Sequence, residues 1–338
     1  MRSVERTSTW RISRTGLFRP RPQEHHSPRR GALMDHPEAP HNQPPRLPGW
    51  LKKNRDLSAL HHLKAKLRHS GLSTVCEEAR CPNICECFLK PTATFLILGD
   101  VCTRCCSFCS VQKGTPAPVN LHEPSLVAHT AEEMGLEHVV ITSVTRDDLP
   151  DKGACGFTST VRAIRDLIPA CTIEILTPDF SGRQDLLEIV LDEKPDVFGH
   201  NVEMAQRLYP AIRPYSSLTR SLDLLRSIKN ISPGTIVKSG FMVGLGESES
   251  EIKDLLGALA EVGCDVVTIG QYLRPTMLQI PVTRYWEPEF FESWSNLAKS
   301  LGIGYCIAGP FVRSSYQAKE ALREIRNSRH TMGKDTFD

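Results

Sequence analysis

No run of the 338 residues approaches the roughly 18 uninterrupted apolar residues that a membrane-spanning helix needs; the best stretches, such as Ala93–Leu98, have the length of a strand. A basic domain is also missing. Residues 1–33 hold eight Arg and two acids, a net of +6, which leaves the rest of a chain of net charge +2 at −4. A slightly acidic body behind a basic tail is the wrong pattern for a nucleic-acid binder, which carries positive charge on its folded domain. No secretory leader is visible, so a secreted disulfide scaffold, which suits short chains without a core, is not expected. Gly244-Leu245-Gly246 lacks the third glycine of a dinucleotide-binding turn and is followed by Glu247-Ser248-Glu249, which removes that class too.

Cysteine is what the chain has in excess. Twelve are present, eight of them within residues 76–109. Cys105 and Cys106 are adjacent and Cys85 and Cys87 are two apart, so neither pair is easily bridged, and the crowding points to metal ligation in a reducing compartment. Cys155, Cys171, Cys264 and Cys306 read instead as small core residues. Residues 1–47, rich in Arg, Pro, His and Ser, read as a disordered tail, either a proline-broken transit peptide or the product of a start assigned upstream of Met34. A basic helix is expected over Leu51–Ser70, with leucines at 3–4 spacing and His61 and His62 on its solvated face. The expected organisation is the tail (1–47), an N-terminal extension with the first cysteines (48–91), a barrel (92–310) and a C-terminal segment (311–338).

Past the cysteines, short apolar runs alternate with amphipathic stretches. The runs are Ala93–Leu98, His138–Thr142, Thr172–Leu176, Asp196–Asn201, Ile236–Val243, Val266–Leu273 and Tyr305–Ala308. Helices are expected near Ser125–Met134, Phe157–Leu167, Asp185–Leu191, Leu218–Ile228, Glu249–Val262 and Pro288–Leu301. Such alternation implies a parallel sheet with right-handed crossovers. Six or seven units exceed a small doubly wound sheet and fall short of an eight-unit barrel. The expected fold class is therefore α/β, a partial (β/α)6 TIM-type barrel, whose chemistry collects in the loops after the strands. The first strand, ATFLILGD, runs straight into Val101-Cys102, which puts the second cysteine group in the first such loop.

In that group Cys102, Cys106 and Cys109 form C-x3-C-x2-C, with Phe108 before the last cysteine. Three thiolates on one loop can hold three corners of a [4Fe–4S] cubane and leave the fourth iron open to a small molecule. Zinc is the alternative, with Cys102/Cys105 and Cys106/Cys109 as C-x2-C halves, but these abut without the loop that separates the halves of zinc sites. Upstream, Cys76, Cys81 and Cys87 form C-x4-C-x5-C, a second trio that again needs a fourth ligand. Cys85 and Cys105 stand inside the motifs as alternative ligands.

The C-x3-C-x2-C loop with its aromatic, after the first barrel strand, resembles the radical S-adenosylmethionine (SAM) superfamily. The stretch ARCPNICECF…TATFLILGD…CTRCCSFC is similar to the lipoyl synthase family within it. The likeness runs from about Leu51 to Ala318 and includes TSVTRDDLPDKGA (142–154), GHNVEM (199–204), KSGFMVGLGE (238–247) and GQYLRPT (270–276), all where strands end. It implies that SAM chelates the open iron of the Cys102/Cys106/Cys109 cluster and is split into methionine and a 5′-deoxyadenosyl radical. Phe108 then lies near the adenine, Asn201 and Glu203 near the polar groups of SAM, and Arg146 and Asp147 help shape the site. It also implies an auxiliary [4Fe–4S] cluster on Cys76, Cys81, Cys87 and a serine of Arg313-Ser314-Ser315-Tyr316. By the resemblance that serine is Ser315; the sequence leaves Ser314 open, and RSSY also reads as an ordinary helix N-cap.

The implied reaction inserts two sulfur atoms at C6 and C8 of a protein-bound octanoyl group, the auxiliary cluster giving the sulfur once Ser315 is released. Cys102, Cys106, Cys109 and Ser315 are the catalytic candidates. Unactivated C–H bonds yield neither to acid–base nor to nucleophilic side chains, so a radical-generating cofactor is needed. The implied partners are octanoylated lipoyl-carrier domains (the glycine cleavage H protein and 2-oxoacid dehydrogenase acyltransferase subunits) and a reductant such as ferredoxin or flavodoxin, in a cytoplasmic setting without nucleic acid or membrane. The competing readings are another auxiliary-cluster radical SAM enzyme of the biotin synthase kind and a non-catalytic metal-binding module. Three positions depart from the family: Cys85 and Pro91 stand where Gly is common, and Gln317 where His is common. None removes a ligand.

Overall fold

The structure, a computed structural model, describes residues 46–52, 72–84 and 92–334. The expected tail up to residue 45, the expected helix from residue 53 onward with His61 and His62, and Cys85 and Cys87 lie outside the described residues. Leu51 itself belongs to a 3-10 turn, Gly49–Leu51.

The strands in chain order are β1 (Ser73–Thr74), β2 (Thr92–Ile97), β3 (Val101–Cys102), β4 (Gln112–Lys113), β5 (His138–Ser143), β6 (Thr172–Leu176), β7 (Val197–Gly199), β8 (Ile236–Val243), β9 (Val266–Gln271) and β10 (Tyr305–Gly309). The helices are α1 (Val75–Glu78), α2 (Glu123–Glu133), α3 (Ala154–Leu167), α4 (Gln184–Leu191), α5 (Tyr209–Ile212), α6 (Leu218–Ile231), α7 (Glu249–Glu261), α8 (Pro288–Ser300) and α9 (Ala318–Lys334). One sheet runs in the order β1-β2-β5-β6-β7-β8-β9-β10. Seven of its strands are parallel, and β1 pairs antiparallel on the outer edge of β2. The sheet is therefore a partial barrel of α/β class, and every expected barrel strand and helix is present with its ends within three residues of the expected ones.

The periodicity explains the layers. Val139, Ile141, Ile173, Ile175, Val267 and Ile269 alternate along their strands and pack outward against Phe157, Val161, Ile164 and Leu256 of the crossover helices. Parallel strands covered on both faces read as continuous apolar runs, which is why HVVITS and VVTIGQ stand out in the sequence. The inward face is not wholly apolar. Glu174 and Lys238 are 2% and 3% exposed and meet inside the barrel at 2.8 and 3.0 Å. Burial pushes the Glu174 carboxyl up, and the Lys238 ammonium holds it down.

The C-terminal helix α9 was not foreseen, because its charged residues mask a narrow apolar stripe. Ala321, Leu322 and Ile325 pack on Ile236, Val266 and Ile307. Lys319 pairs with Glu137, Arg326 with Asp196 (2.5 Å) and Arg329 with Asp265 (2.9 Å). These acids immediately precede β5, β7 and β9, so the helix crosses the N-terminal ends of the strands. The residue before α9 is Gln317, at φ 52°, and not a serine; RSSY forms the turn ahead of it, which corrects the reading of RSSY as a helix cap.

The buried ion pair makes a direct prediction. Lys238→Met leaves a desolvated carboxylate without its cation and costs about 3–5 kcal/mol, whereas the double change Glu174→Leu/Lys238→Met recovers most of that loss. Urea unfolding of the three variants beside the parent chain measures both.

Candidate active site

The first strand–helix loop is held before any ligand is considered. After β2 the chain turns through Leu98 and Gly99, at φ 68° and 92°, and the Leu98 N–H donates to Glu123 Oε2 at the start of α2 (2.7 Å). β3 then pairs parallel with β4, Cys102 opposite Lys113, so residues 103–111 form a loop closed at its base. Arg104, 5% exposed, pins this loop from within. Its guanidinium donates twice to Asp147 (2.7 and 2.9 Å), once to Asp179 (2.7 Å) and once to Ser216 Oγ (3.1 Å). Asp179 is 1% exposed and also pairs with Arg220 at 3.2 Å. Burial opposes its charge, but Arg104 holds the carboxyl well below the usual carboxylate range. Thr103 adds backbone and hydroxyl bonds to Thr145 O (3.1 and 2.9 Å). Of the two residues expected to shape the site, Asp147 takes Arg104, while Arg146 turns to Asp148 (2.9 Å) and Leu98 O (3.1 Å).

Beneath the loop lies a cavity of about 180 Å³. Cys102, Cys106, Phe108 and Cys109 line one side; Thr142, Leu176, Asn201, Glu203 and Arg213 line the other. The structure therefore brings together all six residues expected for the first cluster and SAM, and leaves Cys105 exposed outside the lining. Burial pushes the Cys109 thiol up to about 11, and Cys106 rises for the same reason against the charge of Arg213. Cys106 also feels the charge of Cys102, and Cys109 that of Cys106 and Cys102. Half-buried thiols whose anions repel one another are a donor set that needs a positive inorganic core to become thiolates together. Among the described residues no group of three or more His, Cys, Asp or Glu forms a site for a single metal ion. A cubane differs in taking its thiolates at separate corners, so the Cys102/Cys106/Cys109 set fits an iron–sulfur cluster.

Glu203 reaches the cavity by a strained route. Its φ is 66°, in the left-handed region that side chains avoid. Its N–H donates to Gly240 O (3.0 Å) and its carbonyl accepts from Met242 N (2.8 Å). Burial pushes its carboxyl up, countered by Arg213 and by a bond from Asn201. Gly240 is required beneath Asn201: a Cβ there would stand 3.1 Å from Asn201 Oδ1 and 2.3 Å from Thr268 Oγ1. His200, beside Asn201, is neutral. Nδ1 donates to Thr177 O and Nε2 accepts from Ser221 Oγ, both at 2.9 Å, and burial with the Arg213 charge pulls its pKa down to about 4.

The upstream cysteines lie next door. β1 leads into α1, which carries Cys76, and the Cys81 N–H closes the turn onto Cys76 O (3.1 Å). Ser110 Oγ, one residue past Cys109, donates to Glu78 O (2.7 Å), which ties this segment to the loop. The RSSY turn packs on the same segment. Asn83 Nδ2 donates to Phe311 O (2.5 Å), and Arg313, whose charge burial disfavours, is held up by Cys81. Gly270 allows the approach, because a Cβ there would stand 2.1 Å from Val312 O. Asn201 Nδ2 donates to Ser314 Oγ (3.1 Å), so the turn touches both cysteine neighbourhoods. Cys87 lies outside the described residues. Arg104, Asp179 and Arg213 went unnoticed in the sequence; an arginine between two ligand cysteines was the one available sign, and Arg213 carries none.

Residues 96–270 match the model of the radical SAM superfamily, and residues 25–81 match the N-terminal domain of lipoyl synthase of the radical SAM family. In fold the chain is similar to Streptococcus suis SuiB bound to its precursor peptide, with a TM-score of 0.51 and 12% identity over 75% of this chain and 53% of that one. Fold and site together define a radical SAM enzyme, one that works with SAM and [4Fe–4S] clusters. The chain is 51% identical to the lipoyl synthase of Rubrobacter xylanophilus, covering 82% of this chain and 87% of that one. It is 47% identical to the lipoyl synthase of Caldanaerobacter subterraneus subsp. tengcongensis, covering 83% and 99%. It belongs to the lipoyl synthase family, whose members insert two sulfur atoms at C6 and C8 of a protein-bound octanoyl group.

Two predictions follow from this geometry. Arg104→Met removes the buried cation shared by both carboxylates, leaving Asp147 the Ser181 hydroxyl and Asp179 the Ser181 N–H and the half-exposed Arg220. A loss of about 3 kcal/mol is expected in urea unfolding of the cluster-free chain, with faster alkylation of Cys106. Arg104→Lys recovers little, since one ammonium cannot bridge both carboxylates. His200 sets a pH dependence. The unfolded chain takes up this proton near the ordinary 6.5 and the folded chain only near 4. Stability from the neutral ring is therefore whole above pH 6.5 and falls as pH drops toward 4, by up to about 3 kcal/mol. Urea titrations across that window check the slope, which His200→Gln flattens.

Proposed function

We propose that Cys102, Cys106 and Cys109 hold the cluster at which SAM binds, that Phe108, Asn201 and Glu203 receive SAM, and that Cys76, Cys81, Cys87 and Ser315 hold the auxiliary cluster. The observation that carries this reading is the single cavity lined by the three thiols together with Phe108, Asn201 and Glu203. When bound, the first cluster with SAM supplies a radical able to break unactivated C–H bonds, and the second supplies sulfur. The chain's own residues orient and enclose. Phe108 offers a flat apolar face to the adenine. Glu203 and Asn201 present an acceptor and an amide to the amino and carboxylate groups of SAM, and Arg213 offsets the Glu203 charge from inside. Ser314 is engaged by Asn201, which supports Ser315 as the serine available to the Cys76/Cys81/Cys87 set.

The domain reading that accompanies this has a tail (1–47), an auxiliary-cluster extension (48–91), the barrel (92–310) and the RSSY segment (311–338). The substrate arrives on a lipoyl-carrier domain, that of the glycine cleavage H protein or of a 2-oxoacid dehydrogenase acyltransferase. Electrons come from a ferredoxin or flavodoxin, and the setting is the cytoplasm. No helix among the described residues is long and apolar enough to cross a membrane.

Anaerobic reconstitution tests the assignment. Two [4Fe–4S] clusters per chain are expected, with iron and sulfide content halved by Cys81→Ala and equally by Cys106→Ala. Ser315→Ala keeps the Cys106-dependent cluster and the cleavage of SAM but abolishes sulfur transfer, whereas Ser314→Ala retains transfer. A chain that holds one cluster under every condition contradicts the reading.

A further inference from the structure

The segment between β9 and α8 carries a knuckle that the site described above does not use. Met277 and Leu278 are 78% and 92% exposed, and Leu278 exceeds every other large apolar residue described. Neighbouring apolar side chains so far out in solvent usually ride on loose chain, but this turn is stiff. Arg274 donates through Nε to Gln279 O and through Nη2 to Met277 O, both at 2.7 Å. Thr276 Oγ1 donates to Gln279 Oε1 (2.7 Å) and accepts from Leu278 N (3.1 Å). Tyr272 OH donates to Ile280 O (2.9 Å). The knuckle is also tied to the cysteine loop: Ile280 N donates to Ser107 O (3.1 Å) and Gln279 Nε2 to Cys109 O (3.3 Å).

On its other side lies a groove of about 410 Å³, walled by Leu51, Leu273, Tyr285 and Phe311 and ending at Pro82, the residue after Cys81. Lys52 and Arg274 stand at its rim. Neither pairs with a carboxylate among the described residues. The knuckle thus lies between the two cysteine sites.

We propose that the Met277–Leu278 knuckle and the adjoining groove form the landing surface for the body of the octanoyl-carrying domain. This rests on the assignment of the two cysteine sites under Proposed function. An octanoyl-lysine arm extends roughly 15 Å from its own backbone, so the carrier's body has to settle on the rim beside both sites, and this turn is that rim. Rigid apolar anchors lose little conformational entropy on docking, and such anchors dominate interface energies. Lys52 and Arg274, which meet no carboxylate among the described residues, select a surface on which the acylated lysine is bordered by apolar residues and carboxylates.

The test compares two substrates of the anaerobic enzyme carrying both clusters: an octanoylated carrier domain and a short octanoyl-lysyl peptide. Met277→Glu/Leu278→Glu is expected to raise KM for the domain at least tenfold and to weaken its binding equally, with peptide turnover unchanged. Lys52→Glu is expected to raise the domain KM several-fold and to reduce its salt dependence. An unchanged domain KM in the double variant overturns the proposal. So does an equal loss on both substrates, which would make the turn part of the reaction chamber. A change in oligomeric state, or slower reduction by flavodoxin, at unchanged domain KM assigns the knuckle to another occupant and also overturns it. If the unaltered enzyme forms lipoyl groups on neither substrate, the site assignment beneath the proposal falls instead.

Discussion

A guanidinium buried among carboxylates is the constraint on which the site depends. Residues 102–111 carry three thiols whose ionised forms oppose one another, so the segment needs a restraint of its own against splaying from the barrel mouth. Arg104 prevents this by placing a cation in the middle of the loop and tying it to Asp147 beyond β5 and Asp179 beyond β6. A buried charge is tolerated only when its hydrogen bonds are filled, and four of them are made here in a fixed fork. The rigidity that a cluster demands of its ligands is thus supplied by the protein's own charges, at positions two residues from Cys102 and Cys106.

The second principle of the site is close approach of backbone. Glu203 is forced into a left-handed conformation by its bridge to Phe241. Asn201 lies over Gly240 and Val312 over Gly270, in spaces a methyl group would fill. Strain and missing side chains of this kind persist where the surroundings determine them. Here they let β8 and β9 draw the RSSY turn and the strand-end polar groups toward the same small volume.

The barrel was legible in the sequence because parallel strands buried on both faces leave apolar runs of strand length, and their crossovers leave helical stripes. The place of the cysteine group after the first strand was legible from the same periodicity, whereas Phe108 was singled out by the family resemblance. The rest was hidden for identifiable reasons. Helix α9 buries a thin stripe under many charges, so its pattern resembles a solvated tail. Arg213 reaches the cavity from the segment after α5, far in sequence from the cysteines, and nothing local marks it. The strain at Glu203 arises from a long-range bridge, and no propensity argument anticipates a glutamate at positive φ. The serine of RSSY was chosen by resemblance. The bond from Asn201 to Ser314 is a physical reason, independent of that resemblance, to distinguish the two hydroxyls.

How the RSSY turn is held bears on what the Ser315 hydroxyl can do. An alkoxide is a weaker partner for iron than a thiolate, so a serine ligand suits a cluster that must later give up an atom. Such a ligand is useful only if its departure leaves the chain in place. The turn is fixed by groups other than Ser315: Phe311 O by Asn83, Val312 against Gly270, Ser314 by Asn201, and Tyr316 N by Arg313 O at 2.9 Å. Beyond it, α9 is anchored by the burial of Ala321, Leu322 and Ile325, since exposed ion pairs such as Arg329–Asp265 contribute little individually. On the proposed assignment, release of the hydroxyl therefore requires a side-chain rotation and no movement of the backbone.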